Sequence, residues 1–265
     1  MNIDVVTKEA IGLVLETGNY IRKEYDHFDK RMVEIKGKHD YVTFVDKNSE
    51  KMLTSGLSRI LPGSGFITEE NTIRKTDARY IWVIDPLDGT TNFIHGLHPF
   101  AVSVGLMGNS KLIAGIVYVV NSDECFSAHF ESKSFLNGVE INVSNTESVD
   151  QSLIATGFPF YDYDRMEPFM KTLEYFFQNS RGVRRLGSAA TDLAYVACGR
   201  FDCFYEYNLN PWDVAAGSLI VQQAGGVVND FEGKDNFVFG KEIIASNKIL
   251  YKDYSDIINN IMVMK

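Results

Sequence analysis

The stretch WVIDPLDGTTNF, residues 82–93, constrains the fold of this chain more than any other part of the sequence. An apolar run leads directly into Asp85, Pro86 and Asp88, and a Gly-Thr-Thr-Asn turn follows. A carboxylate that ends an apolar run is drawn toward the buried end of a strand, where its charge is costly unless a cation meets it. The pattern therefore predicts a strand ending at Asp85, followed by an acidic turn that needs a positive partner.

Size, charge and cysteines restrict the class of protein. The 265 residues are enough for one large domain or two tightly joined ones, and a net charge of -9 argues against electrostatic binding of nucleic acid. The three cysteines are odd in number and form no C-x-x-C, which indicates free thiols in a reducing compartment. No signal peptide and no run of membrane-spanning length is visible. We therefore expect a cytoplasmic protein that binds neither membrane nor nucleic acid.

The two halves of the chain differ in the predicted order of their helices and strands. The first half predicts helices over 3–25 and about 46–60, a hairpin leading to Asp46, and strands over 65–71, 79–85, 100–107, 112–120 and 124–130. The second half alternates, with strands over 152–158 and 201–207 and helices over 166–178, 188–198 and 211–224. The predicted fold class is α+β followed by α/β. We expect an N-terminal half of residues 1–147 and a C-terminal half of residues 148–265, joined in one compact catalytic unit.

Five acidic residues lie where predicted elements begin or end: Asp46, Glu69, Asp85, Asp88 and Asp213. Carboxylate oxygens suit Mg²⁺ or Mn²⁺ rather than Zn²⁺, and no His or Cys falls at metal spacing. The DGTT segment is expected to open a helix, whose free N–H groups would seat a phosphate. Together these features favour metal-assisted hydrolysis of a phosphate ester. Spacing alone leaves a structural alternative open, since Asp-Gly turns and acidic first turns of helices are common.

Two longer segments carry a family resemblance. DPLDGTTNF resembles the D-P-[IL]-D-G-T-T-N signature of the inositol monophosphatase family, and NPWDVAAGSLIVQQAGG resembles its second signature, W-D-x-A-A…E-A-G-G. The similarity runs from EIK…FVDKNSE to GGVVNDFEGK. It implies a five-layered α-β-α-β-α sandwich of the sugar/inositol phosphatase type. One departure is Thr68, because TEE stands where the family usually has G-E-E.

The resemblance also implies a set of site residues. Two or three Mg²⁺ ions per active site, with Mn²⁺ as a possible substitute, would be held by Glu69, Asp85, the Leu87 carbonyl, Asp88 and Asp213. The implied catalytic residues are Glu69, Asp46 and Thr90, of which the last two help to activate the attacking water. The implied substrate-binding residues are Asp88, Gly89, Thr90, Gly187, Ser188, Ala189, Glu206 and Asp213. Lys36 matches a basic residue near the active-site loop.

The function implied by the resemblance is Mg²⁺-dependent hydrolysis of a small phosphorylated polyol or sugar, with inositol 1-phosphate as the leading substrate. It further implies lithium sensitivity and a homodimer. The same chemistry on fructose 1,6-bisphosphate, 3′-phosphoadenosine 5′-phosphate, histidinol phosphate or NADP is an alternative, although DGTTN argues against the nucleotide branch, where DGTKE is common. A second alternative is a catalytically inactive relative with a binding or regulatory role. The intact set of acids argues against it.

Overall fold

The computed structural model describes residues 1–28, 33–37, 40–70, 77–159 and 162–263. The side chain of Lys36, for which the sequence predicts a place near the active-site loop, lies outside the described residues. The helices are α1 (Ile3–Tyr25), α2 (Phe44–Ile60), α3 (Thr90–His95), α4 (Met166–Asn179), α5 (Ala189–Ala197), α6 (Pro211–Gln223) and α7 (Tyr251–Met262). None of these helices has both the length and the apolar composition needed to cross a membrane.

The strands form two large sheets and one small hairpin. Their bounds are β1 (Glu34–Gly37), β2 (Asp40–Val42), β3 (Gly65–Thr68), β4 (Tyr80–Asp88), β5 (Ala101–Gly108), β6 (Lys111–Val119), β7 (Glu124–His129), β8 (Ser134–Leu136), β9 (Val139–Ile141), β10 (Leu153–Thr156), β11 (Gly182–Arg184), β12 (Cys203–Tyr207), β13 (Val227–Asn229) and β14 (Glu242–Ser246). The first sheet runs β3-β4-β5-β6-β7-β8-β9 and is antiparallel except for the β3–β4 pair. The second runs β11-β10-β12-β14-β13, with two parallel and two antiparallel pairings.

Three hydrophobic clusters hold five layers together, and the helices α5 and α6 form the middle layer inside one of these clusters. The first lies between helices α1 and α2 and the seven-stranded sheet, and the second lies between the two sheets around α5 and α6. The third joins the five-stranded sheet to α4 and α7. Strand β4 shows how the alternation of side chains makes this possible, because Trp82 and Ile84 enter the first cluster while Val83 enters the second. The predicted α-β-α-β-α sandwich is confirmed.

Most predicted elements are present, with shifted ends at the acidic segments. Strand β4 continues past Asp85 to Asp88, with an irregular pairing to β5 between these two residues. Helix α2 begins at Phe44, so Asp46 is its third residue and not its start. Strand β3 ends at Thr68, and Glu69 follows it. The three cysteines, Cys125, Cys198 and Cys203, all lie in described residues and are free thiols.

A pair of glycines lets α6 lie directly on the first sheet. Gly105 and Gly115 face each other across β5 and β6, and a Cβ atom on Gly115 would lie 2.4 Å from the Ala216 carbonyl oxygen. A Cβ on Gly105 would meet the Ala215 Cβ at 3.0 Å. The Ser103 hydroxyl donates to the Trp212 carbonyl oxygen over 3.1 Å, which fixes the first turn of α6 on the same strand. This contact determines where the first turn of α6 meets the sheet.

We expect Gly115→Ala to destabilise the protein, because the added methyl group collides with backbone that can move only if α6 moves. Overpacking of this kind costs about 1–3 kcal/mol in the free energy of unfolding. Denaturant unfolding measures the change. Gly12→Ala is the matched control, since nothing lies within 4 Å of a Cβ on this exposed residue of α1. That substitution should stabilise the protein by about 0.5–1 kcal/mol, and equal effects of the two variants would contradict the prediction.

Candidate active site

Four acidic side chains from three elements converge at one end of the first sheet. Asp85 and Asp88 lie at the end of β4, and Glu69 directly follows the neighbouring strand β3. Asp213 comes from the first turn of α6, as the sequence predicts. Asp85 and Asp88 are buried, Glu69 and Asp213 are half-buried, and each of Glu69 and Asp85 interacts electrostatically with Asp213. The fold therefore brings together the four carboxylates for which the sequence predicts a metal site.

Three of these carboxylates are oriented by hydrogen bonds through one of their oxygens. Asp85 Oδ1 accepts from the Leu87 N–H at 2.9 Å, and Asp213 Oδ2 accepts from the Asn210 N–H at 2.6 Å. Asp88 Oδ2 accepts from the Ser188 hydroxyl at 2.6 Å and from the Ala190 N–H at 2.8 Å. These bonds hold one oxygen of each of the three carboxylates, and each carboxylate has a second oxygen that can act as a ligand.

The proximity of these acids changes their titration. Burial raises the pKa of Glu69 and of Asp85 well above the ordinary value, and the charges of neighbouring carboxylates raise each further. Burial raises the pKa of Asp88 to about 6, against the lowering effect of its bonds to Ser188 and Ala190. The pKa of Asp213 rises to about 7 through burial and the charge of Asp88. The site therefore resists holding four negative charges without a cation.

The donor chemistry fits a hard divalent cation. Carboxylate and carbonyl oxygens are the ligands that Mg²⁺ prefers, and a cation would offset the repulsion that raises the pKa of Glu69, Asp85 and Asp213. Within the described ranges, no three His, Cys, Asp or Glu side chains enclose a common point as a finished ligand set. The structure thus presents the ligand types together and oriented, without showing the coordination geometry.

Asp46 and Thr90 form a hydrogen-bonded pair next to these four carboxylates. Asp46 Oδ2 closes the capping box of α2 by accepting from the Thr43 N–H at 2.8 Å and the Thr43 hydroxyl at 2.5 Å. The Thr90 hydroxyl lies 3.1 Å from Asp46 Oδ1 and 2.9 Å from the Leu87 carbonyl oxygen. Since a hydroxyl carries one proton, it donates to one of these acceptors at a time. Its oxygen remains able to accept a hydrogen bond from a third group.

The DGTTN turn is held tightly, but the helix after it is short. Gly89 has a φ of +89°, and a Cβ there would lie 3.0 Å from the Pro99 carbonyl oxygen, so glycine is required. The sequence predicts that a helix begins at this turn and binds a phosphate at its N-terminus. The helix is present as α3, but it has only six residues. The Asn92 side-chain amide donates to the carbonyl oxygens of Pro99 and Leu186 at 2.7 and 2.8 Å. It thereby ties this turn to the segment that carries the predicted substrate residues.

A small cavity contains six of the predicted substrate-binding residues: Asp88, Gly187, Ser188, Ala189, Glu206 and Asp213. Gly89 and Thr90 are not part of its lining. Glu206 comes from β12, and burial together with the charges of Asp213 and Asp88 raises its pKa well above the ordinary value. A Cβ atom on Gly157 would lie 2.0 Å from Glu206 Oε1, so Gly157 leaves the space that this carboxylate occupies.

Sequence reasoning missed the two other charged residues of this cavity, Arg185 and Asp192. Arg185 lowers the pKa of Asp88, Asp192 and Glu206, and its guanidinium carbon lies 5.6 Å from the centre of the Phe158 ring. Neither residue belongs to the quoted signatures, and neither follows a turn motif. The only local signal was the Arg-Arg pair before Leu186, which is equally typical of an exposed loop.

A third missed residue, Glu50, holds the segment that presents Glu69. The carboxylate of this fully buried residue of α2 accepts from the Thr68 hydroxyl at 2.9 Å and from the Glu70 N–H at 2.8 Å. Glu69 lies between these two attachment points. The threonine that departs from the G-E-E pattern therefore supplies a hydrogen bond that glycine cannot make.

The geometry agrees with the comparisons with known proteins. The family model described as the inositol monophosphatase family matches residues 2–262. The inositol-1-monophosphatase of Mesorhizobium japonicum is 35% identical over 239 residues, 90% of each chain, and the Nus factor SuhB of Escherichia coli K12 is 39% identical over 244 residues, 92% of this chain and 91% of that one. The crystal structure of suhB from Bartonella henselae is 36% identical, with a TM-score of 0.90 over 96% of this chain and 98% of that one.

These matches define a class of phosphatases whose fold and signatures extend over nearly the whole chain. The chain belongs to the inositol monophosphatase family. Membership supports a phosphatase function and a small phosphorylated substrate. It does not specify which phosphate ester is the substrate.

We expect the metal-free protein to lose stability as the pH rises from about 4 to about 7. The pKa of Asp88 and of Asp213 is raised in the folded state, to about 6 and about 7, from an ordinary 3.8. In that window the unfolded state binds fewer protons than the folded state, so the free energy of unfolding falls with pH. Melting temperatures in a chelator measure the trend, and millimolar Mg²⁺ should raise the melting temperature most near pH 8.

Asp213→Asn is the matched variant for this test, because the amide oxygen can still accept from the Asn210 N–H while one titrating group is removed. In the chelator, the melting temperature of the variant should rise relative to that of the wild type as the pH increases. A wild-type stability that does not fall relative to the variant would contradict the prediction.

The bond between Thr68 and Glu50 should also be measurable. Thr68→Val keeps the shape of the buried side chain but leaves an oxygen of Glu50 without this donor, at a cost of about 1–3 kcal/mol. Thr54→Val is the control, since the hydroxyl it removes bonds only to backbone carbonyls of its own helix. Thr68→Ser should restore stability. We expect Thr68→Val alone to weaken Mg²⁺ binding in a calorimetric titration, and unchanged stability and affinity would refute the role of the bond.

Proposed function

We propose that the chain is a Mg²⁺-dependent phosphomonoesterase that hydrolyses inositol 1-phosphate or a closely similar polyol phosphate by a metal-activated water. The observation that carries the proposal is the convergence of Glu69, Asp85, Asp88 and Asp213, whose pKa values rise through burial, three of them through the charges of neighbouring acids as well. An arrangement this unfavourable is typical of a functional site. The family membership supports the phosphatase chemistry.

The metal ligands in the proposal are Glu69, Asp85, the Leu87 carbonyl, Asp88 and Asp213. Bound Mg²⁺ would supply positive charge for the phosphate oxygens and a coordinated water of lowered pKa. The chain supplies the orientation of the ligands. The Leu87 N–H holds Asp85, and the Ser188 hydroxyl with the Ala190 N–H holds Asp88, so these carboxylates need little rearrangement when charge arrives.

Asp46 and Thr90 provide the path for the water proton in this proposal. When the Thr90 hydroxyl donates to Asp46 Oδ1, the Thr90 oxygen is free to accept a hydrogen bond from the attacking water. Asp46 is itself fixed by the capping box with Thr43. Its pKa is raised by burial, which favours uptake of a proton during the reaction. Water attack in line with the leaving oxygen needs no covalent phosphoenzyme.

The substrate end of the site favours a polyol over an aryl or nucleotide leaving group. Glu206 faces the cavity next to Asp88 and Asp213, and a buried carboxylate binds a hydroxyl strongly. The expectation that the chain binds no nucleic acid stays a prediction, because one relative is named a Nus factor. The homodimer, the cytoplasmic location and the lithium sensitivity also stay predictions.

Phosphate release tests the proposal directly. The wild type should release phosphate from inositol 1-phosphate only with Mg²⁺ or Mn²⁺, and a panel of phosphate monoesters ranked by kcat/KM should place polyol phosphates above fructose 1,6-bisphosphate, 3′-phosphoadenosine 5′-phosphate, histidinol phosphate and NADP. A folded protein that releases phosphate from none of these esters would favour the catalytically inactive alternative.

We expect Asp85→Asn to lower kcat/KM roughly a thousandfold or more while the protein stays folded, because one charge is lost from a ligand that two ions would share. Asp230→Asn is the matched control, since this buried aspartate accepts only the backbone N–H groups of Glu232 and Lys234 in a remote turn. Its kcat/KM should stay near that of the wild type. Near-wild-type activity of Asp85→Asn at saturating Mg²⁺ would rule out the metal assignment.

A further inference from the structure

We propose that Asp192 is a second substrate-binding residue, which together with Glu206 recognises two hydroxyl groups of the leaving alcohol. The inference rests on the proposed function and narrows its substrate class to phosphates of polyols that present at least two hydroxyls on the same side. Asp192 lies in α5 and forms part of the lining of the same cavity as Glu206.

The first observation is that one oxygen of the buried Asp192 carboxylate has no hydrogen-bond partner. The residue is 1% exposed, and Asp192 Oδ1 accepts no hydrogen bond from any group in the part of the chain that the structure describes. Buried carboxylate oxygens are nearly always bonded, so an oxygen left open toward a cavity indicates that something outside the chain completes it. The neighbouring acid Asp88 differs in this respect, because Ser188 and Ala190 already satisfy its Oδ2.

Hydrogen bonding at the N-terminus of helix α5 does not account for Asp192. The Ser188 hydroxyl caps the helix by accepting from the Thr191 N–H at 3.3 Å, and Asp88 accepts the Ala190 N–H at 2.8 Å. The N–H of Asp192 itself bonds to the Ser188 carbonyl oxygen at 3.0 Å. Because the first-turn donors already have acceptors, the helix gains no bond from the Asp192 carboxylate.

The cavity has room for the groups that would complete this oxygen. Its volume is about 90 Å³, which accommodates several water-sized groups. Its lining carries four carboxyl groups, Asp88, Asp192, Glu206 and Asp213, and one guanidinium, Arg185. Two of the four acids, Asp88 and Asp213, belong to the proposed metal site. The remaining pair, Asp192 and Glu206, is close enough for the charge of Glu206 to raise the pKa of Asp192.

Hydroxyl groups suit this pair better than a second phosphate does. A hydroxyl both donates and accepts, so it can pair with a carboxylate or with a protonated carboxyl group. The single positive charge of Arg185 acts on three acids, Asp88, Asp192 and Glu206. The lining of the cavity therefore has an excess of negative charge and repels another anion. Two acceptors side by side match two neighbouring hydroxyls of a ring or chain alcohol.

The test compares two esters that differ only in hydroxyl groups: inositol 1-phosphate and cyclohexyl phosphate. Asp192→Ala should lower kcat/KM for inositol 1-phosphate on the order of tenfold, because removing one of two hydroxyl contacts weakens the binding of the leaving alcohol in the transition state. The constant for cyclohexyl phosphate should change by less than about twofold. Asp192→Asn, which keeps a polar side chain, should lie between Asp192→Ala and the wild type. Glu206→Gln should shift the ratio of the two constants in the same direction.

Asp202→Asn is the matched control. Asp202 is also a buried aspartate, but the Ser144 hydroxyl and the Leu153 N–H satisfy it, and it does not line the cavity. For the Asp202→Asn variant, the ratio of kcat/KM for inositol 1-phosphate to kcat/KM for cyclohexyl phosphate should equal that of the wild type, even if the variant is less stable. Melting temperatures of all variants separate a loss of fold from a loss of recognition, and Asp192→Asn carries the test if Asp192→Ala does not fold.

Two outcomes would overturn the inference: equal losses on both esters, or an unchanged ratio in both variants of Asp192. Failure of the proposed function is visible separately and before any variant is made, since it requires that the wild type release phosphate from neither ester.

Discussion

The site depends on the burial of like charges. Glu69, Asp85, Asp88 and Asp213 lie in surroundings that disfavour their ionised forms, and the neighbouring charges of the cluster raise the pKa of Glu69, Asp85 and Asp213 further. A fold can hold such a cluster only if the backbone around it is rigid, because free side chains would turn away from one another. The rigidity comes from strand ends and helix starts, where backbone N–H groups orient one oxygen of Asp85, Asp88 and Asp213.

The contact between α6 and the first sheet makes this convergence possible. Asp213 belongs to a helix and Asp85 to a strand, and their side chains are short. They can interact only where the helix lies almost on the backbone of the sheet. Gly105 and Gly115 permit that approach, and the bond from Ser103 to the Trp212 carbonyl sets the position of the first turn. A packing feature remote from the acids thus determines whether the proposed metal ligands meet.

Local signals in the sequence indicated that the acids lie where elements begin or end. The DPLDGTTNF and NPWD segments each combine an acid with the glycine, proline or asparagine that determines the local backbone, so the position of the acid relative to its element could be read directly. The strand end was misplaced by three residues, because Pro86 suggested a stop while β4 continues to Asp88. Strands β11, β13 and β14 and helix α7 were not predicted, and their short or weakly periodic segments carry little local signal.

The residues that the sequence did not reveal are those whose role depends on contacts far apart in the chain. From the sequence, Glu50 is an ordinary helix residue, and its bonds to the Thr68 hydroxyl and the Glu70 N–H are not visible. Gly157 is likewise only a glycine near the end of a predicted strand, although its missing side chain leaves the space for Glu206. No spacing rule links such pairs. They can be recognised only when the tertiary structure is known.

The two ends of the site are therefore built differently, and this has a consequence for specificity. At the proposed metal end, β4 supplies two of the acids, and backbone N–H groups orient Asp85, Asp88 and Asp213, so a substitution disturbs several groups together. At the substrate end, Asp192 and Glu206 extend from separate elements into a cavity, and Gly157 leaves the space for one of them. We therefore expect that Asp192 or Glu206 can change without moving a proposed metal ligand. Within this fold, the identity of the leaving alcohol can diverge while the chemistry at phosphorus is retained.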